Sequence, residues 1–368
     1  MILSFGSSPD PEQLERATRA LKESGLAFEL VVCAHSTLLV ITSSSDHHPS
    51  HKFSTLPGVL KVVRLGSRAP LALDQHRTLV EVQGNGGRLA IGGRKEPVVI
   101  AGPCSVESRD QIVAVAAQVK AAGAVALRGG AFKPRSSPYD FQGLGIEGLK
   151  ILHEAGEANQ LPVVSEVMST DQVELAEPYV DVFQIGARNM YNYELLKEVG
   201  RQRKPVILKR GMSATIDEFL QAAEYILLGG NLHVILCERG IRTFETSTRN
   251  TLDLSAVVML KNLSNLPVIV DPSHATGKRE LIRPLSRAAI ACGADGLMIE
   301  THIEPDKSYS DAGQAITPQL LAEIVHDVAA ISSTLCALDA MDGEDACVQG
   351  YPQPTPTVPA HRAPARPV

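Results

Sequence analysis

The chain has no tryptophan, and aromatic residues make up only 4% of its 368 positions. Its core must therefore be aliphatic, which suits short, fully buried β-strands rich in Val and Ile. Cysteine is sparse: Cys33, Cys104, Cys237, Cys292, Cys336 and Cys347 form no CxxC and no close pair. A disulfide framework is not expected, and a reducing cytoplasm is the expected setting. No stretch approaches the ~18 consecutive apolar residues of a spanning helix. The N-terminal MILSFGSSPDPEQLERATRA lacks the basic-then-apolar pattern of a secretion signal. Nor is there a surplus of positive charge: 35 Lys and Arg against 41 Asp and Glu leave −6. That balance argues against nucleic-acid or membrane-surface partners. Three nucleotide and nucleophile signatures are also missing, namely GxxxxGK[ST], GxSxG and a strand-borne GxGxxG.

What is present is repetition. Eight short apolar runs, each ending in polar or charged residues, recur through the middle: VVIAGPCS (98–105), AVALRGG (124–130), LPVVSEV (161–167), DVFQIGAR (181–188), KPVILKRG (204–211), NLHVILCERG (231–240), LPVIVDPSH (266–274) and ADGLMIETH (294–302). Helix-like stretches separate most of them. This alternation predicts an α/β fold, a (β/α)8 TIM barrel over 98–338, with its chemistry at the C-terminal strand ends. Within it Pro284 sets the expected start of one helix, and Thr317–Pro318 starts the last. Residues 1–66 read as β-α-β-β-(short α)-β, a small ferredoxin-like α+β domain. Residues 67–97 are a linker holding a β-hairpin around GNGG (84–87) that would plug the barrel bottom. The tail 339–368, with six prolines from Val348 onward, is expected to be disordered.

The strand ends carry the chemistry. Strands 7, 8 and 1 are neighbours in a closed barrel, so Cys104, His274, Glu300 and Asp311 should converge. One thiolate, one imidazole and two carboxylates suit a divalent transition metal. His302, in the same loop, is a second-rank candidate. Arg128, Lys133, Arg135, Arg188, Lys209 and Arg239 crowd the same mouth. They would repel one another without anionic ligands, which points to phosphorylated substrates. Arg201, Arg203, Lys204 and Arg210 read as surface charges. Gly129-Gly130, Gly186-Ala187 and Ser136-Ser137 offer amides and hydroxyls to phosphate oxygens.

IAGPCSVES (100–108), LRGGAFKPRSSPYDFQGLG (127–145), QIGARN (184–189), PVILKRG (205–211), ILCERGIRTFE (235–245), VDPSHATG (270–277) and SRAAIACGADGLMIETH (286–302) resemble the 3-deoxy-D-arabino-heptulosonate 7-phosphate synthases. The branch with an N-terminal ferredoxin-like regulatory domain is the most similar. The resemblance covers about 98–335. It implies condensation of phosphoenolpyruvate with erythrose 4-phosphate and water, with release of phosphate, at the head of aromatic amino acid biosynthesis. It makes Cys104, His274, Glu300 and Asp311 ligands of a Mn, Fe, Co or Zn-class ion. It assigns Arg128, Lys133, Ala187, Arg188, Lys209 and Arg239 to phosphoenolpyruvate, and Pro134, Arg135, Ser136 and Ser137 to erythrose 4-phosphate. Ser136 stands where the family more often has Thr. Lys133 is the expected proton donor, with neighbouring Arg charges favouring its neutral form, and Glu166 or Asp271 would orient water. A homo-oligomer, a tetramer by resemblance, and an aromatic amino acid effector are further implications. The alternatives are the sister synthase of 3-deoxy-octulosonate 8-phosphate, which uses arabinose 5-phosphate, and a catalytically dead barrel kept as a scaffold.

Overall fold

The computed structural model describes residues 1–6, 8–32, 36–42, 53, 56–63, 69–73, 78–84, 87–93, 96–133 and 139–341. The first unit comprises β1 (Ile2–Phe5), α1 (Pro11–Glu23), β2 (Phe28–Val32), β3 (Thr37–Ile41) and β4 (Lys61–Val63). The strands are antiparallel in the order β2-β3-β1-β4. Asp10 caps α1 by accepting from Glu12 N at 3.0 Å, with Pro11 at the first position, and Gly25 at φ 69° ends it. Leu3, Phe5, Ala17, Leu21, Leu39 and Phe53 close a core of their own. The rest of the stretch expected to hold the second short helix lies outside the described residues, as do Cys33, Cys347 and residues 342–368, whereas the first three residues of the expected tail, 339–341, continue the last helix.

The eight apolar runs form β7 (Val98–Gly102), β8 (Ala126–Arg128), β9 (Val163–Val167), β10 (Val182–Ile185), β11 (Val206–Lys209), β12 (Val234–Glu238), β13 (Val268–Val270) and β14 (Gly296–Glu300). They close into one parallel barrel, β14 pairing with β7. Around it run α2 (Arg109–Ala121), α3 (Ile146–Ala158), α4 (Thr170–Ala176), α5 (Tyr193–Gly200), α6 (Ile216–Leu228), α7 (Leu254–Leu263), α8 (Pro272–Thr276), α9 (Arg279–Ala291) and α10 (Pro318–Met341). Successive strand residues alternate between two cores. Val99, Leu127, Val163, Leu208 and Leu236 face the helices. Ile100, Ala126, Val164, Val182, Ile207, Ile235, Ile269 and Met298 fill the interior.

The interior core also contains Val80, Val82, Leu89 and Ile91. These belong to the hairpin β5 (Leu79–Gly84) and β6 (Gly87–Gly92), which caps the barrel at the N-terminal end of its strands, as expected. The linker is held down by Glu224 on α6. Its buried carboxylate accepts from Leu71 N and Ala72 N at 2.8–2.9 Å. Buried backbone donors left without such a partner are costly.

One expectation is corrected. The helix expected to start near Pro284 runs from Arg279 with Pro284 inside it. The missing N–H costs one bond in the second turn, and other contacts offset it. Ile282, Ala289 and Ile290 are buried, and Arg283 pairs with Asp327 of α10 at 2.7 Å. Among the described residues one helix, Pro318–Asp339, is long and apolar enough by length and composition to cross a membrane. Glu323, His326 and Asp327 interrupt its apolar run, and Leu321, Ile324 and Val328 are buried in the outer core.

If the hairpin completes the interior core, Ile91→Ala should cost ~2–5 kcal/mol. Urea denaturation of the two proteins reads that difference directly.

Candidate active site

The alternation that builds the interior core also builds the site. Two residues beyond each inward apolar side chain, the same parity delivers a polar one. Ala126 leads to Arg128, Val164 to Glu166, Val182 to Gln184, Ile207 to Lys209, Ile269 to Asp271 and Met298 to Glu300. Cys237 is followed on its face by Arg239. The intervening residues fall on the other side of the wall. Arg210, expected at the surface, is therefore buried between barrel and helices, where it pairs with Glu238 at 2.9 Å and Asp253 at 3.0 Å. Arg201 and Arg203 are exposed.

Cys104, His274, Glu300 and Asp311 come together. One ligand atom from each lies within 4.8 Å of the others. Cys104 Sγ is 3.4 Å from Asp311 Oδ2, and His274 Nε2 is 3.2 Å from Glu300 Oε1. Asp271, fully buried, accepts from His274 Nδ1 at 2.7 Å and from its backbone N at 2.9 Å, and it also pairs with Lys209. Burial lowers the His274 pKa from its ordinary value, so its imidazole is neutral near pH 7 and charged only in acid. With the proton on Nδ1, Nε2 turns a lone pair toward Glu300. Two acceptors facing each other across 3.2 Å, beside a thiol and a second carboxylate, fit a cation between them. Burial pushes the Cys104 thiol up to about 11, against the pull of Lys133 and Arg128. Burial would also raise Glu300, but His274, Arg128 and Lys133 outweigh it and hold the carboxyl at about 2. His302 stands apart from the cluster, with Nε2 3.8 Å from Glu107 Oε2.

The neighbouring cavity measures about 740 Å3, counting space open to solvent. Arg128, Lys133, Arg188, Lys209 and Arg239 line it, together with Glu166, Gly186, Ala187 and His274. Some of these cations are matched. Arg128 NH1 donates to Glu300 Oε1 at 2.8 Å, and Lys133 Nζ lies 3.1 Å from Cys104 Sγ. Others are not. Arg239 is buried, its guanidinium donates among the described residues only to the Gly240 carbonyl at 3.5 Å, and burial lowers its pKa. Neither Arg239 nor Arg188 forms an ion pair among the described residues. A buried cation without a counter-charge is costly, so a bound anion is the natural completion. Gly186 keeps the wall open: a Cβ there would collide with Glu166 Oε1.

Burial and Arg128 both press Lys133 toward neutrality. Cys104, Glu300 and Glu166 outweigh them and raise its pKa. The expected neutral lysine is thus an ammonium. Asp271 has both oxygens engaged and does not line the cavity, so of the two water-orienting candidates only Glu166 faces the open space. Pro134, Arg135, Ser136 and Ser137 lie outside the described residues. Sequence reasoning missed Arg249, which lines the cavity and donates to Asp311 Oδ1 at 3.2 Å and Gln314 Oε1 at 2.9 Å. It sits well past the end of β12, beyond the reach of a strand-end rule. Gln314, which donates to Glu300 Oε2 at 2.7 Å, was missed for the same reason.

These features define a class: (β/α)8-barrel enzymes that hold a multiply charged anion beside an ion-binding cluster. The profile of the DAHP synthetase I family matches residues 73–334. The phospho-2-dehydro-3-deoxyheptonate aldolase of Thermotoga maritima is 41% identical over 338 residues, covering 91% of this chain and 98% of that one. Its crystal structure superposes with a TM-score of 0.71 at 40% identity, over 91% of this chain and 97% of that one. The 2-dehydro-3-deoxyphosphooctonate aldolase of Geobacter sulfurreducens is 30% identical, over 69% of this chain and 97% of its own. The chain belongs to the DAHP synthetase I family.

Glu300 makes a pH-dependent contribution. Its folded value, about 2, lies below the ordinary 4.5, so its stabilisation is full above about 4.5 and is lost as pH falls toward 2. In chelator, wild type should lose up to roughly 3 kcal/mol more over that window than Glu300→Gln. Denaturation curves at stepped pH measure the difference.

Proposed function

We propose that the barrel mouth divides into a phosphoenolpyruvate cradle, an aldose end and an ion site. The activity is that of a 3-deoxy-7-phosphoheptulonate synthase: phosphoenolpyruvate, D-erythrose 4-phosphate and water give 3-deoxy-D-arabino-heptulosonate 7-phosphate and inorganic phosphate. The observation that carries the cradle is the buried Arg239 in the cavity wall, which forms no ion pair among the described residues. Arg188 and Lys209 join it around the phosphate and carboxylate, with Arg128 and Lys133 toward the ion site and the Ala187 segment against the phosphate oxygens. The aldose phosphate falls to Pro134, Arg135, Ser136 and Ser137.

Cys104, His274, Glu300 and Asp311 would hold a divalent ion of the Mn, Fe, Co or Zn class, which would supply Lewis-acid chemistry when bound. C3 of phosphoenolpyruvate attacks the aldehyde carbon, and positive charge develops at C2. The Lys133 ammonium gives its proton to the new alkoxide. Being charged at rest, it also stabilises the oxygen before transfer. Glu166 orients the water that adds at C2, and the hemiketal phosphate then loses inorganic phosphate by C–O cleavage. Asp271 touches no substrate; it fixes the His274 ring and Lys209. The chain works in the cytoplasm as a homo-oligomer, a tetramer, with an aromatic amino acid effector acting through the N-terminal unit.

Erythrose 4-phosphate is favoured over arabinose 5-phosphate because the heptonate relative shares 41% identity and the octonate relative 30%. Phosphate release should be fast with the four-carbon sugar, negligible with the five-carbon one, and abolished by chelator. Turnover with arabinose 5-phosphate alone would reverse the assignment. Lys133→Met should lower kcat by ~100–1,000-fold, the usual loss for one positioned electrostatic group. Single-turnover phosphate release reads that step.

A further inference from the structure

We propose that Glu107 is a positioning residue for the ion site, acting by zipping the loop that carries Asp311 onto the loop that carries Cys104. The proposal rests on the ion reading above and names a residue outside the ligand set. Three of the four ligands sit on or beside regular structure. Cys104 follows β7 by two residues, His274 lies in α8, and Glu300 ends β14. Asp311 does not. It stands eleven residues beyond β14 at φ 51°, a left-handed conformation uncommon for non-glycine residues. Its place depends on what holds the loop.

Residues 104–107 and 308–311 run side by side in register. Cys104 Sγ meets Asp311 Oδ2 at 3.4 Å. The buried hydroxyls of Ser105 and Ser310 are 2.6 Å apart. Glu107 Oε1 accepts from Tyr309 N at 2.8 Å and Ser308 Oγ at 3.1 Å. The other Glu107 oxygen turns toward His302, whose Nε2 is buried without a hydrogen-bond partner. Only 7% of the Glu107 side chain is exposed, and it does not line the cavity. Its bonds therefore serve the loop. Arg249 grips Asp311 from the opposite side, so the carboxylate is set by the zipper on one flank and a guanidinium on the other. Outer contacts of this kind commonly govern how tightly an ion is held.

The test is a Co2+ titration of the full chain after chelator stripping, followed by the near-ultraviolet charge-transfer band of a thiolate–cobalt bond at Cys104. Glu107→Ala should weaken cobalt binding by ~10–100-fold. Glu107→Gln, whose carbonyl still accepts from Tyr309 N, should stay within about threefold of wild type. Ser310→Ala should fall between them. Equal cobalt affinity in Glu107→Ala and wild type overturns the clamp, and so does equal weakening by Ala and Gln. If Glu107→Ala does not fold, Ser310→Ala decides, and unaltered affinity there overturns the proposal. A wild-type protein with no thiolate–cobalt band defeats the ion reading itself, and the clamp with it.

Discussion

A closed parallel barrel gives each strand two faces and a fixed parity, and this protein uses that parity twice. Below the mouth the inward positions are aliphatic, and the hairpin side chains Val80, Val82, Leu89 and Ile91 complete that core. One pleat higher the same positions carry Arg128, Glu166, Lys209, Arg239, Asp271 and Glu300. Charges delivered to so dry a place are tolerable only if matched. Most are matched internally, Arg128 by Glu300 and Lys209 by Asp271. Arg239, which no carboxylate meets among the described residues, marks where a ligand's charge belongs.

This arrangement separates two tasks that lie a few ångströms apart. The anionic cluster around Cys104 calls for a cation, and the cationic wall around Arg239 calls for an anion. Arg128 and Lys133 stand between them and belong to both. Arg128 reaches Glu300 while lining the cavity, and Lys133 reaches Cys104 while lining the same space. An anion on that wall would lie beside the Cys104 cluster. The electrostatics that keep Glu300 ionised also keep Lys133 protonated.

The barrel, the hairpin at its base and the convergence of Cys104, His274, Glu300 and Asp311 were legible because each rests on local pattern plus one topological rule. Apolar runs give strands, alternation with helices gives a parallel barrel, and closure makes the first and last strands neighbours. Parity within Cys237-Glu238-Arg239 correctly sent Arg239 inward and Glu238 outward. The same rule applied to Lys209-Arg210 places Arg210 in the outer layer, paired with Glu238 and Asp253, and not at the surface where it was expected. Pro284 misled because a helix can absorb one lost bond in its second turn when tertiary contacts hold it.

Sequence alone determined which residue types stand at the strand ends, because hydrophobic period and strand polarity are properties of the chain itself. Tertiary structure alone decided the protonation and pairing of those residues. Lys133 is an ammonium rather than an amine because Cys104, Glu300 and Glu166 surround it, and Asp271 supports His274 because both its oxygens are taken. Arg249, Gln314 and Glu107 reach the site through loops, whose course follows from contacts between distant segments and leaves no periodic trace.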